Sequence, residues 1–218
     1  MIRRGYTTAD FWEQACDANH ARLALVFADD DSRYTFGQID AKANQVAAWG
    51  LTRGLRKGHV VALFMENRPE YVFLWLGLAK IGVATALINS GLHGQSLSHC
   101  IQVAGASTVV VGSSVTAQAA AVMAQLSQVE WVCWQGSAPA GEPTLPVGMA
   151  SFDAMLEGQP TRRPPATVRS DLSPWDLCWY IYTSGTTGLP KAARINHTRL
   201  YSAGLMYAKV PRNRRPYS

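Results

Sequence analysis

The sequence is short of charge, of cysteine and of any uninterrupted apolar stretch, and each shortage excludes a class of protein. Only 16% of its 218 residues are charged against 48% hydrophobic, a balance that suits a packed core and not a disordered chain. The four cysteines, Cys16, Cys100, Cys133 and Cys178, stand far apart, without the close pairs that zinc sites and redox dithiols use. Buried free thiols in a reducing, cytoplasmic setting are expected. After Arg3 and Arg4 the first ten residues turn polar and acidic, where a secretory leader would turn apolar. No aromatic ladder alternates with basic residues, as single-stranded nucleic acid requires. The net charge of +5 does not supply one, because Lys209, Arg212, Arg214 and Arg215 carry four of those charges and leave +1 on the other 208 residues. No nucleic-acid partner is expected. Internal repeats and low-complexity tracts are absent as well.

Residues 71–88 come nearest to a membrane span, being mostly apolar and about long enough. Lys80 sits in their middle, at a cost of about 3 kcal/mol on insertion scales, and Gly82 followed by Val83, Ala84 and Thr85 reads as a helix ending and a strand beginning. A buried helix and strand is the expectation.

The rest of the first half alternates in the same way. Thr35 with Gln38 three positions on has the form of a capping box, and Phe36, Ile39, Ala43, Val46 and Ala47 recur at helical spacing to about Leu51. Gly54 and Gly58 bracket a turn, and residues 59–64 read as a buried strand. Asn67 and Glu70 repeat the capping pattern with Pro69 in the first turn, opening a helix whose Tyr71, Leu74, Trp75 and Leu78 form a core-facing stripe. Strands at 83–88, 108–112 and 130–134 and helices at 97–104 and 116–126 follow. Such alternation predicts an α/β fold, a mostly parallel sheet flanked by helices. Loop-rich stretches at 135–148 and 158–174 surround a short helix at 151–156. The expected organisation is an α/β subdomain over 1–134, a linker over 135–176, a strand–loop–strand–helix unit over 177–209 and a basic tail over 210–218.

The chemistry concentrates after the strand-like residues 177–182. Thr183, Ser184, Gly185, Thr186, Thr187 and Gly188 place four hydroxyls and two glycines in six residues, and Leu189 and Pro190 lead to Lys191. Glycines let a backbone turn tightly and bring its amides to an anion, and Lys191 adds a point charge. A polyphosphate suits such a turn, each hydrogen bond to a charged group being worth roughly 1.5–3 kcal/mol. A Walker A loop would need Gly-Lys followed by Ser or Thr at a helix start, whereas Lys191 lies between Pro190 and Ala192 and residues 193–196 look extended. The turn is therefore expected to join two strands.

The run YTSGTTGLPK at 182–191 resembles the phosphate-binding signature of the adenylate-forming superfamily, which includes acyl-CoA synthetases, luciferases and nonribosomal-peptide adenylation domains. A second resemblance, to acyl-CoA synthetase N-terminal domains, runs over residues 33–112 through Tyr34, Thr35 and Phe36, Asn44, Gly54, Lys57 and Gly58, and Asn67 to Glu70. It continues through LGL at 76–78, KIG at 80–82 and LIN at 87–89. Residues 89–100 and 175–182 look most like the fatty-acid transport and very-long-chain acyl-CoA synthetase branch.

The resemblance implies the N-terminal part of the large domain of an enzyme that joins a long- or very-long-chain fatty acid to ATP and passes the acyl group to coenzyme A. On that footing Thr183, Ser184, Gly185, Thr186, Thr187, Gly188 and Lys191 hold the ATP phosphates and Mg²⁺ bridges their oxygens. No Ser, Cys or His need act as nucleophile, because the substrate carboxylate attacks phosphorus, and an apolar substrate is compatible with peripheral membrane association. His197, six residues beyond Lys191 where the family often has His, is left outside the site. His99 and Cys100 read as structural, since adjacent helical side chains diverge, and His59 replaces an Asp common in the family. The family's full chain is more than twice as long and its later motifs, including the adenine pocket and a catalytic Lys, are not found after Lys191. A truncated or frame-shifted product that needs the missing C-terminal portion is the corresponding expectation. A remnant that binds nucleotide or a partner without catalysis, or another adenylate-forming ligase, are the alternatives.

Overall fold

The computed structural model describes residues 7–136, 145–183 and 188–209. The chain opens with helix α1 (Thr8–Asn19), capped by a reciprocal pair in which the Thr7 side chain accepts from the Asp10 amide and the Asp10 carboxylate accepts from the Thr7 amide. Strands β1 (Leu23–Val26) and β2 (Arg33–Thr35) form a small antiparallel ribbon. Thr35 then caps α2 (Phe36–Thr52) through the box expected with Gln38.

A seven-stranded sheet follows. Strands β3 (Val60–Phe64), β4 (Ala84–Ile88), β5 (Thr108–Gly112), β6 (Glu130–Trp134), β7 (Met149–Ser151) and β8 (Leu177–Thr183) are mutually parallel, and β9 (Lys191–Asn196) pairs antiparallel with β8. Their order is β7-β6-β5-β3-β4-β8-β9. The central strands are buried on both faces, which is why they read as continuous apolar runs. Alternate residues feed two cores: Val60, Ala62 and Phe64 pack with α4 (Gly94–Ala104) and α5 (Thr116–Met123). Val61 and Leu63 pack with α2, α3 (Pro69–Lys80) and α6 (Phe152–Leu156) on the opposite face. The final helix is α7 (His197–Lys209).

Three local expectations change. Asn67 does not cap α3: the cap position is Arg68, whose side chain makes no capping bond, and Pro69 occupies the first helical position. That register moves Glu70 out of capping reach, and it pairs with Arg68 at 2.8 Å instead. Helix α4 starts three residues earlier than its apolar pattern, at Gly94, and the helix expected over 116–126 tightens to 3₁₀ geometry over Ala124–Leu126. The apolar run at 71–88 is divided between α3 and β4, and among the described residues no helix is long and apolar enough to cross a membrane.

Lys80, in the middle of that run, is wholly buried. Its ammonium lies 2.8 Å from both Glu13 of α1 and Asp40 of α2. Asp40 also accepts from Arg163 and from the indole N–H of Trp12, and Arg169 pairs with Asp10 and Glu13. Burial alone would raise the Asp40 pKa, but Lys80 and Arg163 overcome it and hold the carboxyl below its usual range. This network fastens α1 and the loops around 163 and 169 to the sheet-covering helices α2 and α3.

Candidate nucleotide site

In an open α/β sheet, ligands bind beyond the carboxyl ends of the strands where the chain departs to opposite faces. Here the chain leaves β3 toward the α3 face and leaves β4 toward the α4 face. Between them lies a cleft of about 460 Å³, walled by Glu66 and Asn67 after β3, Asn89 and Ser90 after β4, and Tyr182 of β8. Tyr71 lines it too. That residue packs partly on the core, as its helical stripe predicts, and also shows its ring to the cleft. Burial pushes the Tyr71 phenol up to about 12, so it meets a ligand as a neutral group.

Strand β8 ends at this same edge, with Ile181 and Tyr182 lining the cleft. Strand β8 runs parallel to β4, with Leu87 opposite Ile181, and the β8–β9 ladder ends on the pair Thr183 and Lys191. Both are exposed, and opposed residues of an antiparallel pair present their side chains on one face. Gly188 has φ 138°, with open space where a Cβ would stand, a backbone that only glycine adopts readily. Of the residues read from sequence as phosphate ligands, Thr183 and Lys191 are thus placed side by side, and Gly188 stands three residues before Lys191. Ser184, Gly185, Thr186 and Thr187 lie outside the described residues, as does the tail 210–218.

Two contacts to this turn had no sequence signal. The Tyr182 hydroxyl donates to the Cys100 carbonyl at 2.7 Å, and His99 Nε2 lies 3.2 Å from the Pro190 carbonyl. Burial raises the Tyr182 pKa further above its ordinary value, keeping the hydroxyl a donor.

The other titratable groups of interest stay away from the cleft or remain inert. All four cysteines are buried free thiols. Burial, with smaller charge effects, lifts Cys16 to about 12 and Cys100, Cys133 and Cys178 to about 11, so none offers a ready thiolate. Among the described residues no group of three His, Cys, Asp or Glu could hold a metal ion. His197 lies at the far end of β9 from Lys191. It is buried, and its Nδ1 accepts from the Thr8 amide at 3.2 Å, with the Thr8 hydroxyl at 2.9 Å.

Burial depresses the His197 pKa from 6.5 to about 4, against the opposing pull of Asp176 and Asp10. The unfolded chain therefore takes up a proton near pH 6.5 that the folded chain refuses until about pH 4, and stability falls as pH falls through that window. Between pH 6.5 and 5 the loss is about 1.6 kcal/mol. His197→Asn keeps an acceptor where Nδ1 sits without the titration, and urea midpoints of this variant should depend less on pH across that interval. An unchanged slope would contradict the assignment.

A mostly parallel sheet flanked by helices, in this strand order, matches the N-terminal domain of adenylate-forming ligases. The anthranilate CoA ligase AuaEII, solved with anthranoyl-AMP, superposes with a TM-score of 0.75 at 25% identity, over 90% of this chain and 36% of that one. The Mycobacterium tuberculosis fatty acyl CoA synthetase gives 0.74 at 24% identity, over 93% and 37%, a likeness of fold. The family model described as AMP-binding enzyme matches residues 11–216, and the chain belongs to that family. Among characterised relatives, long-chain fatty acid transport protein 1 of Rattus norvegicus is 40% identical over 200 residues, which are 91% of this chain and 30% of that protein. The Homo sapiens protein of the same name is 39% identical over the same shares. The chain thus spans about a third of the length of the relatives it matches.

Proposed function

We propose that the chain is the nucleotide-gripping part of a fatty-acyl-CoA synthetase. What supports this is that β8, whose Ile181 and Tyr182 line the cleft beyond the parallel strands, ends on Thr183 paired with Lys191. On this reading the hydroxyls and amides of residues 183–188 and the Lys191 ammonium hold the triphosphate of ATP. They orient the α-phosphorus toward the acid and spread the charge that develops on the departing pyrophosphate. The exposed Thr183 hydroxyl beside the phosphates is the kind of hard oxygen donor that suits Mg²⁺, and bound Mg²⁺ supplies further neutralisation of the phosphate oxygens. The fatty-acid carboxylate attacks the α-phosphorus and pyrophosphate leaves; the thiol of coenzyme A then attacks the acyl carbon and AMP leaves. A fatty acid is favoured over an aromatic acid because the relatives at 38–40% identity are named for long-chain fatty acid transport.

A chimera tests this. The chain joined to the portion of long-chain fatty acid transport protein 1 that it does not span should catalyse ATP–pyrophosphate exchange with palmitate and not with benzoate. Exchange with benzoate alone would move the substrate assignment to aromatic acids. No exchange from a folded chimera, alongside saturable ATP binding, would favour a nucleotide-binding remnant.

A further inference from the structure

We infer that His99 and Tyr182 are positioning residues that hold the phosphate turn to helix α4, an inference that rests on the triphosphate reading of that turn. Among the described residues strand β9 is the edge of the sheet and pairs with β8 alone. An edge strand has ladder bonds on one side alone, so contacts from outside the sheet weigh more in fixing it. Helix α4, by contrast, is anchored, with Leu97, Cys100, Ile101 and Ala104 all buried in the core. Consecutive residues of this helix reach the two arms of the hairpin separately. The Cys100 carbonyl accepts from Tyr182, one residue before the turn begins, and His99 bonds the carbonyl of Pro190, one residue before Lys191.

The chemistry of the second bond is one-directional. A carbonyl oxygen only accepts, so His99 Nε2 carries the proton in that contact. The two bonds span 82 and 91 residues of sequence and meet on one turn of helix. They set the separation and tilt of the arms that present Thr183 and Lys191. A residue with this role changes how well the turn grips phosphate more than it changes whether the domain folds.

The test is calorimetric titration of the full 218-residue chain with Mg²⁺ and tripolyphosphate, a probe that reports the turn without an adenine. His99→Ala and Tyr182→Phe should each weaken binding by roughly three- to tenfold, the scale of one lost hydrogen bond. His99→Gln, whose amide nitrogen can donate to the Pro190 carbonyl, should recover to within about twofold of wild type at that same scale. Wild-type affinity in both His99→Ala and Tyr182→Phe, while Lys191→Ala loses it, would overturn the positioning role and leave the triphosphate reading standing. If His99→Ala no longer unfolds cooperatively, Tyr182→Phe decides, since it removes a single oxygen. A folded wild type that ignores tripolyphosphate would instead overturn the reading of the turn and this inference with it.

Discussion

Replacing Lys80 by Met is expected to cost the fold about 3–5 kcal/mol, the scale observed when one partner of a buried ion pair is removed. The ammonium is fully buried and lies 2.8 Å from two carboxylates on different helices. Met fills much of the volume, so the loss is electrostatic: Glu13 and Asp40 keep Arg169 and Arg163 but lose the cation between them. Against a total stability of 5–15 kcal/mol for a typical domain, this leaves a marginal protein, read as a large fall in the urea midpoint. The sign with pH is also fixed. Asp40 is held below its usual range mainly by Lys80 and Arg163, so in wild type its contribution fades as pH falls. In the variant Asp40 protonates more readily, and the deficit should shrink toward acid. Adding Asp40→Asn to Lys80→Met should recover part of the loss, because the two positions share one interaction. A variant within 1 kcal/mol of wild type, the worth of an exposed pair, would mean that water reaches the network.

Lys191→Ala is expected to weaken Mg²⁺–ATP binding by roughly ten- to a hundredfold, or about 1.4–2.8 kcal/mol, the range of one charge-assisted hydrogen bond. Lys191 is exposed at the end of the β8–β9 ladder, so its removal leaves no buried group unpaired and stability should hold. Lys191→Arg keeps the charge and should lose only a few-fold. Lys42→Ala, on the exposed side of α2, should change nothing and controls for a general loss of positive charge. Equal losses at Lys42 and Lys191 would make the attraction non-specific. Raising the salt concentration separates the cases further, since a diffuse attraction is screened within a Debye length of about 8 Å at 0.15 M while close contacts persist.

What could be read from sequence was what is local or strongly patterned. The strands β3 and β5 announced themselves because all their residues are buried on both faces, and the capping box at Thr35 works because cap and partner are three residues apart. Helix α1 escaped notice: its only large apolar residues, Phe11 and Trp12, are adjacent and not helically spaced, although Thr7 and Asp10 form the same capping signal. The box at Asn67 misled because Pro69 fixed the helix start one residue later. Lys80 was recognised as a reason against a membrane span, but its partners Glu13 and Asp40 lie 67 and 40 positions away, and no spacing rule links them. In the site, the hydroxyl–glycine run and Lys191 were legible because they are contiguous. His99 was not, since its role depends on the fold bringing it beside Pro190, 91 residues on.

A phosphorus NMR titration of Mg²⁺–ATP with the folded chain asks which part of the nucleotide the turn holds. The β- and γ-phosphorus resonances should shift and saturate with wild type, and with Lys191→Ala should do so only at roughly ten- to a hundredfold higher concentration. Unmoved resonances in the presence of a cooperatively folded wild-type chain, or an equal midpoint with the variant, would contradict the assignment of residues 183–191 as a triphosphate grip.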